Sequence, residues 1–153
     1  MRKKGKPTVN SDHADATDPR DVRRELLPLW IKLFSWMFLA LGGIGLIGLV
    51  LGWAIEKETE FAAFGLEASG LPYDAVPFLV TLLLVAHGAA AYGLLSARSW
   101  GVIAGLIVAS AGVSVCLVTM AQQGGMPFRG ELILEVPFVW KLLRIRREWE
   151  GTA

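Results

Sequence analysis

The sequence predicts an all-α membrane protein, a bundle of four transmembrane helices with the N-terminus and the C-terminus both cytoplasmic. Three observations carry this. Of 153 residues, 54% are hydrophobic, a share that points to lipid as the solvent. Charge is segregated: nearly all of it falls in residues 1–32, 56–74 and 129–150, with long uncharged blocks between. Basic residues gather towards both ends although the net charge is only +1, a pattern that suits a membrane protein and argues against a nucleic-acid partner.

Residues 1–27 read as a polar cytoplasmic tail without apolar periodicity, expected to be disordered. Its basic start (Arg2, Lys3, Lys4, Lys6) suits anionic lipid, and Asp12, Asp15, Asp18 and Asp21 oppose that. Arg23 and Arg24 read as topology determinants. Leu33 to Ile55 is uncharged over 23 residues, which at about 1.5 Å per residue exceeds the roughly 30 Å hydrocarbon core. This is span one. Gly52-Trp53-Ala54 has the small-x-small form of a cleavage site, but the long charged leader and the length of the apolar run favour an uncleaved anchor.

Residues 56–74 form an acidic outer loop, with Glu56, Glu58, Glu60, Glu67 and Asp74 against Lys57. Their spacing matches no calcium loop, so solvated charge is expected. Phe61, Phe64 and Leu66 suggest that part of the loop rests on the membrane surface. Span two covers 75–95, with Pro77 in its first turn, where a missing amide does little harm. Span three covers 101–120. The linker between them, SARSW, is so short that the two must pair as an antiparallel hairpin.

The stretch GELILEVPFVWKLLRI is ambiguous, because its apolar run is below span length and holds a glutamate. At 100° per residue Glu135 falls among Phe138, Val139 and Leu142 while Lys141 and Arg144 point elsewhere, so no clean interfacial face emerges. Charge favours a crossing at 128–143: four spans leave only Lys57 and Arg129 outside, whereas three would strand the C-terminal basic cluster there. Trp30, Trp36, Trp100, Trp140 and Trp149 then mark inner boundaries, and Trp53 and Tyr73 outer ones. The four spans make up a domain of residues 28–147, and 148–153 is a C-terminal tail.

Small residues recur along one side of span one (Gly42, Gly45, Gly48, Gly52) and of span three (Gly101, Gly105, Ala109, Gly112). In lipid, such seams let helices approach closely. Intrachain packing is the plainer use of them, and homodimerisation through Gly48-x-x-x-Gly52 is the alternative. PLWIKLFSW at the first helix entry and AAYGLLSARSWG across the hairpin resemble small uncharacterised four-helix bacterial membrane proteins over roughly residues 28–145. The resemblance implies four helices in a bacterial cytoplasmic (inner) membrane. It implies no activity and transfers no functional residue.

Two ionisable groups fall inside spans, His87 and Glu135, and such groups raise a functional hypothesis by default. Counted from the outer ends of their spans, His87 lies roughly 18 Å deep and Glu135 about 6 to 9 Å deep, so pairing them requires closing about 10 Å. On depth alone, His87 finds Ser110 on span three, and Ser114, Thr119, Gln122 and Gln123 bracket Glu135. The plain expectation is a neutral His87 bonded to a hydroxyl or carbonyl of a neighbouring helix and a Glu135 satisfied near the outer surface in protonated form. The sharper one is a proton or cation pathway in which Glu135 exchanges protons and His87 relays them. Pro137 frees the carbonyl of Ile133 beside the acid. Small multidrug transporters also combine four short helices with a membrane glutamate, but in their first helix, which here carries no acid.

With one cysteine, Cys116, and two histidines, His13 and His87, no disulfide, dithiol motif or tetrahedral zinc site can be assembled within one chain. No cofactor is expected, haem being conceivable only as a weak or dimer-spanning histidine site. No nucleotide loop, nucleophile elbow or paired metal-binding histidines occur. The sequence therefore favours a non-enzymatic structural or accessory membrane protein whose partners are the lipid bilayer and a further membrane subunit. The alternative is a small proton- or cation-coupled transporter using Glu135 and His87.

Overall fold

The computed structural model describes residues 18–55, 59–63, 66–71, 73–122 and 130–151. Its order is α1 (Pro19–Leu26), α2 (Leu29–Ile55), β1 (Thr59–Ala63), β2 (Leu66–Gly70), α3 (Ala75–Leu95), α4 (Gly101–Gln122) and α5 (Gly130–Gly151). Three of these, α2, α3 and α4, are long and apolar enough to cross a membrane, so the chain is that of a membrane-embedded protein. α5 has comparable length, 22 residues, but Glu131, Glu135, Lys141, Arg144, Arg146, Arg147, Glu148 and Glu150 keep it out of that class.

Several expected boundaries move. Residues 19–26, expected within the disordered tail, form α1, because Asp18 accepts the Arg20 amide as an N-cap and Pro19 opens the first turn, where no donor is needed. Residues 1–17, the rest of that tail, lie outside the described residues. In the expected outer loop, β1 and β2 pair antiparallel with Thr59 opposite Gly70 and Ala63 opposite Leu66. Glu56, Lys57, Glu58 and Phe64 lie outside the described residues. The expected tail from residue 148 is instead the last turn of α5 as far as Gly151, while Phe128 and Arg129, where the fourth span was expected to begin, lie outside the described residues.

The bundle is built on close seams between antiparallel neighbours. A Cβ on Gly42 of α2 would stand 2.7 Å from the Cα of Gly88 on α3, and one on Gly88 would stand 3.0 Å from the Cα of Gly42. The two backbones touch there, with no side chain between them. Gly45 continues this seam against Leu84 and Thr81; Gly48 is half-buried and Gly52 buried.

At the α3–α4 turn, Ala97 donates to the Leu94 carbonyl and Arg98 to the Gly93 carbonyl. This is the paired closure of a helix whose next residue is left-handed. Ala97 takes that conformation, φ 52°, although glycine is the usual occupant. Its methyl is fully buried in the core, which offsets the strain. Gly101 packs against the Gly93 backbone, and the Trp100 ring fills the space above Gly93, so the SARSW linker does close an antiparallel hairpin.

α5 runs antiparallel to α4 in a strict register. Glu135 faces Gly112, Leu142 faces Gly105, and Trp149 donates from its indole Nε1 to the Arg98 carbonyl at 3.0 Å. Each step is seven residues on both partners. The buried positions of α5 are Glu135, Phe138, Leu142, Ile145 and Trp149, alternating steps of three and four that form a narrow seam. The other described positions face out or are only partly covered, and among them the exposed ones are apolar up to Leu143 and, apart from the terminal Gly151, charged from Arg144 onward.

Trp149 lies level with the α3–α4 turn, at the expected end of the bundle, but is buried in the core instead of facing outward; Trp36, Trp53, Trp100, Trp140 and Tyr73 do stand exposed. Beside it, Arg23 of α1 is buried, donating from Nε to the Trp149 carbonyl at 3.2 Å and from Nη1 to the Ala97 carbonyl at 3.3 Å. Its guanidinium carbon lies 5.9 Å from the centroid of the Trp149 ring. One side chain thus ties together α1, the α3–α4 turn and the end of α5.

Candidate functional site

His87 sits mid-way along α3 on the face turned inward, and Glu135 sits on the buried seam of α5. The structure brings them together: Nε2 of His87 is 3.6 Å from Oε1 of Glu135, and each side chain is at most 4% exposed. The expected 10 Å separation in depth is overturned. That count took the outer end of each segment as its origin, and so assumed that α3 and α5 begin at one level and run parallel and that neither side chain reaches along the bundle; the contact shows that these do not all hold.

The space for the carboxyl comes from Gly112. A Cβ there would meet Oε1 at 2.6 Å and Oε2 at 2.8 Å, so even alanine collides with the acid where it now lies. The imidazole is held from the other side by its own helix, with Nδ1 2.8 Å from the Leu83 carbonyl. Phe38 of α2 lies against the ring with centroids 5.1 Å apart, and Phe38 in turn meets Phe138 edge-on at 6.0 Å. The pair is thus enclosed by two aromatic rings and a glycine, with α2, α3, α4 and α5 each contributing.

Neither oxygen of Glu135 accepts a hydrogen bond among the described residues. Charge left in such surroundings is costly unless it is paired. Next to His87 a cavity of about 10 Å³ is lined by Phe38, Leu94, Gly105, Val108 and Phe138. That is about the room one water needs, but apolar walls give it few partners. A larger open groove of about 410 Å³ runs between α4 and α5 on the outer surface, along Ser110, Ser114, Val139 and Trp140.

The polar groups expected around the two residues are used otherwise. Ser110 and Ser114 are exposed on the outer side of α4, where the Ser114 hydroxyl donates to the Ser110 carbonyl. Thr119 donates back to the Val115 and Cys116 carbonyls of its own helix. Gln122 is exposed, and Gln123 lies outside the described residues. His87 bonds a carbonyl, as expected, but on its own helix.

Among the helix-packing glycines, Gly45, Gly101, Gly105 and Gly112 each line an intrachain contact. Reading the glycines of α4 as packing positions missed that one of them makes room for the acid. The seven-residue pairing of Gly105 and Gly112 with Leu142 and Glu135 was the available signal. Arg23 was missed as a buried donor altogether, and its place beside Arg24 gave no cue. Among the described residues, no three of His, Cys, Asp and Glu converge as metal ligands. No family model, curated protein or solved structure matches the chain.

Proposed function

We propose that this is a non-enzymatic multi-pass protein of a bacterial cytoplasmic membrane, structural or accessory in role, that crosses the bilayer four times with both ends in the cytoplasm. The observation that carries the reading is the way α5 divides its charges. Among the described side chains of its first half the one acid, Glu135, is turned into the bundle, while the exposed ones stay apolar through Leu143, with Lys141 half-buried, and the exposed charges gather from Arg144 on. A helix lying on the membrane surface would divide polar from apolar around its girth; α5 divides them along its length, as a crossing helix does.

The contact of Arg23 with Trp149 and Ala97 supports the same reading, since it joins the last turn of α1, the α3–α4 turn and the end of α5 at one end of the bundle. Arg20, Arg24, Arg98, Arg144, Arg146 and Arg147 belong to these same segments, which makes this end the cytoplasmic one. The resemblance of PLWIKLFSW and AAYGLLSARSWG to small bacterial four-helix proteins agrees. For an accessory role the partners are lipid and another membrane subunit, so purification in mild detergent is expected to yield a stoichiometric companion. A solitary monomer counts against the role. Reporter fusions at Met1 and Ala153 that report opposite compartments remove the topology.

The 3.6 Å approach of His87 and Glu135 favours one further reading, a small proton- or cation-coupled transporter built on that pair. Its test is flux in reconstituted vesicles with Glu135→Gln and His87→Ala. Flux indifferent to both changes rules it out.

A further inference from the structure

The hydrogen-bonding of His87 fixes more than its position. A carbonyl oxygen only accepts, so the 2.8 Å contact with Leu83 puts a proton on Nδ1. In the neutral ring Nε2 then carries a lone pair, and what lies 3.6 Å from it is a carboxyl oxygen of Glu135. With no further proton, a lone pair faces an anion. Both groups are buried, and the anion accepts no hydrogen bond among the described residues. Burial penalises that state severely, because among the described residues no donor compensates the charge.

We infer that His87 and Glu135 together form a binding site for one proton, held between Nε2 and Oε1. The proton comes from water and returns to water. When bound, it makes either a carboxylic acid that donates to Nε2 or an imidazolium that donates to the carboxylate. These are two descriptions of one protonation state of a coupled pair.

Among the described residues no cation stands in for it. The described residues place no lysine or arginine within ion-pair distance of Glu135. α2 presents Phe38 to the pair and α5 presents Phe138. α4 presents Gly112, and the next titratable side chain on that buried face is Cys116, one turn away. Gly112 is what permits the arrangement, since any side chain there displaces the carboxyl from the imidazole. Loss of the proton strands a charge in the seam between α4 and α5, so proton occupancy governs whether the outer half of α5 stays seated. The transporter reading requires such a site. The site does not require transport, so a bound proton without flux leaves this inference standing and removes only that reading.

The test uses the full chain in lipid nanodiscs. Infrared difference spectra report the Glu135 carbonyl, and nitrogen NMR of labelled histidine reports both ring nitrogens. The expected result is either a protonated-carboxyl band that disappears in Glu135→Gln or a doubly protonated ring whose signals disappear in His87→Gln. Glu135→Gln also keeps an amide donor for Nε2 and is expected to hold α5 in place without taking up a proton. If that variant does not fold, Gly112→Ala serves instead, by shifting the same band or ring signals through crowding of the carboxyl. An ionised Glu135 beside a ring protonated only on Nδ1, in the folded protein, overturns the proposal.

Discussion

Gly42→Ala is the sharpest probe of the bundle, because its neighbour Gly43 provides a matched control. A Cβ at position 42 stands 2.7 Å from the Gly88 Cα, 3.0 Å from the Leu84 carbonyl and 3.1 Å from the Gly88 nitrogen. All three are backbone atoms that no rotamer change can move. Ordinary contact begins near 3.4 Å, so α2 has to withdraw from α3 by about 0.7 Å. A gap of that size forfeits about a quarter to a half of the dispersion well for atoms along the seam, and overpacking of this kind costs about 1–3 kcal/mol. Alanine returns about 0.8–1 kcal/mol of helix propensity. The net expectation is a loss of up to about 2 kcal/mol. At Gly43 nothing lies within 4 Å, so Gly43→Ala is expected to gain up to about 1 kcal/mol. Unfolding in mixed micelles, followed by far-UV circular dichroism, measures both. Equal stability of the two variants refutes the claim that the Gly42–Gly88 contact sets the approach of α2 to α3.

Arg23→Met removes the charged donor to the Trp149 and Ala97 carbonyls, which is expected to cost about 1.5–3 kcal/mol and to speed amide exchange around the α3–α4 turn; exchange unchanged there shows that the contact does not hold the turn. Trp149→Phe keeps most of the packing and loses the indole bond to Arg98, for an expected loss of about 1 kcal/mol, and a loss several times larger places the energy in shape instead. Replacing His87 or Glu135 singly by leucine leaves a buried polar group without its partner, at an expected cost of about 3–5 kcal/mol, whereas the double leucine variant recovers most of that. Additive losses in this cycle show that the two side chains do not act as a pair.

Much of the fold was legible because lipid imposes a simple rule: a crossing segment must be long, apolar and internally hydrogen-bonded. Leu29–Ile55, Ala75–Leu95 and Gly101–Gln122 satisfy it openly, and the brevity of SARSW leaves a hairpin as the only connection between the last two. α5 was harder to read. Its seam of Glu135, Phe138, Leu142, Ile145 and Trp149 is present in the sequence at coiled-coil spacing, but Glu135 breaks the apolar pattern by which such seams are recognised, and the charges after Leu143 suggest that the helix has ended. α1 was hidden by the polar residues around its Asp18 cap.

The pairing of His87 with Glu135 could not be read from spacing at all. Both residues were conspicuous in the sequence, because ionisable groups in apolar runs always are. Hydropathy gives depth only from each segment's own ends and does not say whether the ends of two segments stand level, so two depths counted in this way do not give a separation. The contacts of Leu142 with Gly105 and of Trp149 with the α3–α4 turn set the axial position of α5, and Gly112 leaves the one space into which its carboxyl fits. Composition and hydropathy thus determined the solvent and the three apolar helices; the distance between the two buried ionisable groups was decided by side-chain packing, which acts between residues that the sequence keeps far apart.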